Sequence, residues 1–80
     1  MMLRPTKHSH PDRTVVNVAL ILLRRLMVRR VESYDELLRL AREQVKGGDI
    51  LFMPALNFLY LLGLVEYLPK IDSLEYVGRQ

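Results

Sequence analysis

Three segments with helical spacing and helix punctuation, followed by two β-rich segments around a turn, predict an α+β domain of winged-helix type. The expected order is three helices followed by a β-hairpin wing, behind an extended N-terminal arm. Two strings carry the prediction. Ser33-Tyr34-Asp35-Glu36 and Gly47-Gly48 bracket one helix with a start and a stop, and Leu64 to Leu68 and Leu74 to Val77 flank the turn-rich Pro69-Lys70-Ile71-Asp72-Ser73.

Residues 1–10 show no periodicity and contain Pro5, Thr6, His8, Ser9 and His10, so they read as an arm that docking would order. The domain proper is expected over 11–80. The first helix is expected near 11–28. Pro11 has its φ preset for a first turn, and Asp12 sits where the helix dipole favours an anion. Val15, Val18, Leu22 and Met27 fall on one side of it and Val16, Leu20 and Leu23 on another, which predicts a helix central to the core. Arg13, Asn17 and Arg24 form its polar stripe, and Arg24, Arg25, Arg29 and Arg30 complement the negative end of the dipole.

The second helix is expected near 33–46. Ser33 and Glu36 fit a reciprocal capping box, Tyr34, Leu38, Ala41 and Val45 recur at helical spacing, and Gly47-Gly48 stops the run. For the third helix, Pro54 lacks the amide that an interior position must donate, which places the expected start near Met53 and the helix over about 53–62. Gly63 ends it in left-handed geometry, and the hairpin follows near 64–77.

Eighty residues make one domain that removes only about 60% of its unfolded surface from water, so an apolar partner surface would add to a thin margin. Half of the residues are hydrophobic, more than a lone small globule needs. The absence of cysteine excludes a disulfide framework, a zinc ribbon and a thiol nucleophile. The first residues lack the apolar core of a signal peptide, and the longest apolar runs, 15–23 and 55–65, fall short of the ~20 residues of a bilayer span, so a cytoplasmic chain without membrane contact is expected. Twelve basic residues against nine acidic ones leave a net charge of +3, too little to imply nucleic acid.

No catalytic constellation emerges. Ser9, Ser33 and Ser73 stand in cap or turn positions, and the chain has no nucleophile elbow, HExxH or phosphate-binding glycine loop, so no enzyme is expected. His8 and His10 beside Asp12 lack a further strong donor, and neither a metal nor a cofactor is expected. Arg24, Arg25, Arg29 and Arg30 are candidate phosphate contacts, set against an ordinary solvated helix end; a wing with Lys70 and Arg79 could touch a DNA backbone without reading bases. The third helix offers Asn57 and Tyr60 where base readout needs several polar side chains. Its apolar residues occupy more than one face, and Phe52, Leu56, Leu59 and Tyr60 are expected to form a face for self-association or a partner.

Leu3-Arg4-Pro5-Thr6-Lys7-His8, Pro11-Asp12-Arg13 and Ala55-Leu56-Asn57-Phe58-Leu59-Tyr60-Leu61-Leu62-Gly63 resemble the middle-component family of the ABC-three-component systems. The N-terminal string is the more specific part; 29–48 agrees in length and pattern without a diagnostic motif. Arg4 departs from an expected aliphatic residue, and Pro54 from an unbroken helix. The resemblance implies a small bacterial winged-helix adaptor encoded with an SMC-like ABC ATPase and an effector protein, in a system of defence against phages and plasmids. Carried over onto this chain, Pro5, Thr6, Lys7, His8, Pro11, Asp12 and Arg13 are the motif residues. Read by its own chemistry, the Pro-containing arm with Lys7 and His8 as donors is expected to supply these residues to a partner's surface, with folding back on its own helices as the alternative. A homodimer is compatible with this reading, with DNA contact weak or confined to the assembly. The alternative is a small winged-helix DNA-binding transcriptional regulator that uses the arginine cluster and the wing.

Overall fold

The computed structural model describes residues 13–78, so the arm and the expected start at Pro11 lie outside the described residues. The elements run α1 (Arg13–Arg29), β1 (Val31–Ser33), α2 (Tyr34–Gln44), α3 (Gly48–Leu61), β2 (Val65–Leu68) and β3 (Ser73–Tyr76), the order of a winged helix. The sheet is antiparallel in the order β1-β3-β2.

β1 is the element that sequence reasoning missed. Three residues are too few to show alternation, and they merge into the Ser33 cap. Tertiary pairing creates the strand: Val31, Glu32 and Ser33 stand opposite Glu75, Leu74 and Ser73, turning the expected hairpin into a three-stranded sheet.

One side of α1 supplies the core. Val18, Ala19, Leu22 and Leu26 are buried against Phe52, Ala55, Leu56 and Leu59 of α3, with Leu37 and Ala41 from α2 and Val65 and Leu74 from the sheet. α1 is therefore not buried all round as expected. Leu20 and Met27 are exposed and Val28 is 81% exposed, because two neighbouring helices and a small sheet cannot enclose a third helix completely. In the hairpin Val65 stands opposite Tyr76 and Tyr67 opposite Leu74, with Glu66 opposite Glu75 on the other face; Val65 and Leu74 are buried, whereas Tyr67 is exposed.

Caps and turns fix how the helices enter and leave this core. Ser33 Oγ accepts the Glu36 N–H at 3.1 Å, as the capping box predicts, but the Glu36 carboxylate turns to Arg39 at 2.6 Å. The reciprocal half of the box is therefore not used. α2 stops at Gln44, two residues before its expected end, because Val45 is extended. Gly47, at φ +75°, then opens α3, its carbonyl accepting from Ile50 and Leu51 at 3.0 and 3.1 Å. α3 thus begins five residues before the expected start and carries Pro54 inside it. Pro54 and Ile50 are both exposed, so water can reach the carbonyl left without its helical partner. At the far end Gly63, at φ +73°, closes a Schellman motif: its N–H donates to the Tyr60 carbonyl at 2.9 Å and Leu64 N–H to that of Leu59 at 3.0 Å.

Gly48 and Arg30 are the two backbone positions most open to test. A Cβ at Gly48 would collide with the Ala41 carbonyl, so α3 starts flush against the end of α2 only because that atom is missing. Gly48→Ala is expected to cost about 2–3 kcal/mol, read as a large fall in thermal midpoint. Arg30 sits at φ +70° while its carbonyl accepts from Tyr76 N–H at 2.8 Å. Glycine carries no side-chain penalty there, so Arg30→Gly is expected to raise stability by about 0.5–1 kcal/mol in urea denaturation.

Candidate functional site

α3 is apolar on both sides, and the core covers one. Gly48, Phe52, Ala55, Leu56 and Leu59 face inward. Ile50, Met53, Pro54, Asn57, Tyr60 and Leu61, spaced by three, one, three, three and one, run along the opposite side. Ile50 is 76% and Leu61 85% exposed, and Leu62 extends the apolar surface beyond the last turn. The only charged residue of the helix is Asp49.

This corrects the face expected from sequence. Phe52, Leu56 and Leu59 are the chain's own core, Phe52 being 1% exposed, and of the four residues assigned to a partner face only Tyr60 reaches the surface. Where both sides of a helix are apolar, spacing alone cannot say which one turns inward.

The arginine cluster is partly assembled. Arg24, Arg25 and Arg29 line an open groove between α1 and α2, together with Ile21, Val28, Leu40 and Gln44. Arg25 is already engaged: its Nη1 donates to Glu32 Oε2 at 3.1 Å, joining the end of α1 to β1, and that carboxylate is largely buried. Arg30 does not join the groove. On the wing, Lys70 is exposed in the turn, whereas Glu66 and Glu75 stand opposite each other; Arg79 lies outside the described residues.

A second feature joins three elements. Tyr34 and Asp35 of α2, Met53, Leu56 and Tyr60 of α3, and Tyr67 and Asp72 of the wing line an open cavity of about 490 Å³. Tyr34 is held on two sides, its ring edge-on to Phe52 with centroids 5.1 Å apart and its hydroxyl donating to Met53 Sδ at 3.4 Å. Tyr67 donates to Asp72 Oδ1 at 2.6 Å across the hairpin turn, where Asp72 adopts φ +49°. That hydrogen bond, followed by desolvation and the negative charge of Asp72, raises the Tyr67 pKa above its ordinary value. Burial and then the charge of Glu66 raise that of Tyr60. Sequence reasoning placed Tyr34 in a helix core and Tyr67 in a strand. Nothing in their spacing could bring them together, since the turn and α3 do so.

Among the residues predicted to bind a partner, Arg13 opens α1, while Pro5, Thr6, Lys7, His8, Pro11 and Asp12 lie outside the described residues, as does His10. Among the described residues there is no group of three His, Cys, Asp or Glu side chains able to hold a metal, and no helix is long and apolar enough to cross a membrane.

The Tyr67 hydrogen bond has a pH signature. The folded chain holds the phenol proton more tightly than the unfolded one, so the stabilisation is fully present below the ordinary tyrosine value of 10.0 and is lost as pH rises through the raised folded value. Melting curves of the wild type and Tyr67→Phe should differ at neutral pH, and the gap should narrow above about pH 10.

The family model described as ABC-three component (ABC-3C) system Middle Component 8 matches residues 30–77, more than half of the chain. The match spans β1, α2, α3 and the hairpin, and leaves out the N-terminal strings on which the resemblance also rests. No curated protein matches, and no solved structure matches. With α3, the wing and the intervening sheet all inside the matched range, the chain belongs to the Middle Component 8 family of ABC-three component systems.

Proposed function

We propose that this middle component is a non-catalytic adaptor that holds an SMC-like ABC ATPase to an effector protein, in a cytoplasmic bacterial system directed against phages or plasmids. The observation that carries the proposal is the outward side of α3. In a winged helix this is the element that would enter a DNA groove, and base readout there needs Arg, Lys, Asn or Gln. Here the outward side offers Ile50, Met53, Pro54, Tyr60 and Leu61 around a single Asn57. Exposed apolar surface beside an already filled core gains free energy when another polypeptide covers it, at about 25 cal/mol per Å² removed from water.

In this reading the arm residues Pro5, Thr6, Lys7, His8, Pro11, Asp12 and Arg13 supply a first interface and the outward side of α3 a second, which also serves any homodimer. Arg24 and Arg29 contact DNA weakly, or only within the assembly. The alternative, a winged-helix transcriptional regulator, draws on the three arginines that share one groove.

Co-expression with the genomically neighbouring subunits tests the proposal. The wild-type chain is expected to co-purify with them. Ile50→Asp combined with Leu61→Asp is expected to lose at least about tenfold in affinity, a deficit of ~1.4 kcal/mol, while melting unchanged, since both side chains face solvent. Retention of the partner by the double variant would remove α3 from the interface. Fluorescence anisotropy with duplex DNA separates the alternative: a regulator binds tightly with a steep salt dependence, an adaptor weakly.

A further inference from the structure

We propose that the cavity between α2, α3 and the wing receives a cationic side chain, an arginine in preference to a lysine, from the partner protein that covers α3. The inference rests on the adaptor reading and assigns chemistry to one part of that surface.

Three observations carry it. The cavity is lined by three tyrosines from three different elements, Tyr34, Tyr60 and Tyr67, with Met53 and Leu56 beside them. Its two charged lining residues, Asp35 and Asp72, are both acidic; in a chain with twelve basic residues, none lines it. It is also continuous with the outward side of α3, because Met53 and Tyr60 belong to both.

The chemistry favours a guanidinium. Aromatic rings attract a cation through the negative charge on their faces, a carboxylate attracts it through its full charge, and guanidinium stacks on rings while its N–H groups donate to carboxylates. The Tyr34 and Tyr67 hydroxyls are already committed to Met53 Sδ and Asp72 Oδ1, which restrains both rings before a ligand arrives and lowers the ordering cost of binding. Glu66, close enough to Tyr60 to raise its pKa, adds negative potential nearby. A DNA phosphate would meet the Asp35 and Asp72 carboxylates in the cavity, which therefore disfavours the ligand that the arginine groove would attract, although Lys70 is exposed in the same turn as Asp72. Asp35 also lies in the first turn of α2, where it favours the helix dipole; that role accounts for Asp35 but not for three tyrosines converging beside it.

The test uses two readouts. In the first, the tyrosine ring signals of the whole chain are followed by NMR during titration with N-acetyl-arginine amide, the lysine equivalent, and the neutral citrulline and norleucine equivalents. Saturable shifts at Tyr34, Tyr60 and Tyr67 are expected with the arginine compound, weaker with lysine and absent with the neutral pair. Asp35→Asn and Tyr60→Leu, both at exposed positions, should each weaken that binding by about two- to fivefold with little change in melting temperature. In the second, the same variants should weaken binding of the co-expressed neighbouring subunit by a similar factor.

Equal shifts with arginine and norleucine, or none with either, would overturn the cation assignment while leaving the adaptor reading intact, provided that the wild type still captures its neighbour. Arginine-selective shifts with undiminished capture by both variants would overturn the placement of a partner's side chain in the cavity. Failure of the wild type to capture any neighbouring subunit would overturn the adaptor reading and this proposal together.

Discussion

Helix α3 has apolar side chains on two opposite sides, and a domain this small can bury only one of them. Phe52, Ala55, Leu56 and Leu59 close the core against Val18, Leu22 and Leu26 of α1, at exposures near zero. What remains, from Ile50 to Leu61, cannot be withdrawn from water by any rearrangement that keeps the core intact, because rotating the helix would exchange one apolar side for the other. The same constraint explains the stability of the fold and the character of its surface. The domain spends one side of α3 on itself and presents the second.

Local devices hold α3 in the pose that makes this division possible. Gly47 supplies a left-handed residue and Gly48 the missing Cβ that lets α3 begin directly against the Ala41 carbonyl. The Schellman motif at Gly63 turns the chain sharply into β2, so the hairpin returns alongside the helix that precedes it. β3 then bonds to β1 through its other edge, and the Arg30 carbonyl takes the Tyr76 amide, tying the end of α1 into the sheet. Each link is a backbone event, yet together they set which side chains of α3 meet solvent.

Charge separates two regions of the surface. Arg24, Arg25 and Arg29 gather at the α1–α2 groove, with Arg25 neutralised by Glu32. Asp35, Asp72 and the tyrosines gather where α2, α3 and the wing meet, and Glu66 faces Glu75 across the hairpin. The overall charge of +3 carries no information about this placement, which is why composition said so little about partners. The region beside α3 combines apolar surface with negative potential, a mixture suited to a polypeptide and poorly suited to a phosphate backbone.

The chain alone fixed the helix count, the Ser33 cap, the left-handed stop at Gly63 and the hairpin around Pro69 to Ser73, because caps and turns depend on residues adjacent in sequence. It also gave the polar inventory of α3, which is limited to Asp49, Asn57 and Tyr60. Pro54 was misleading: a missing amide argues against an interior position, but the helix tolerates it where the free carbonyl faces water, and exposure is a tertiary property. Strand β1 needed β3 as a partner, and the tyrosine cavity needed three elements folded together. Phe52, Leu56 and Leu59 were recognisable as apolar from the start, but only packing against α1 decided that they face inward. Periodicity reports that a helix has an apolar side, and where there are two, the neighbouring elements that pack against it make the choice.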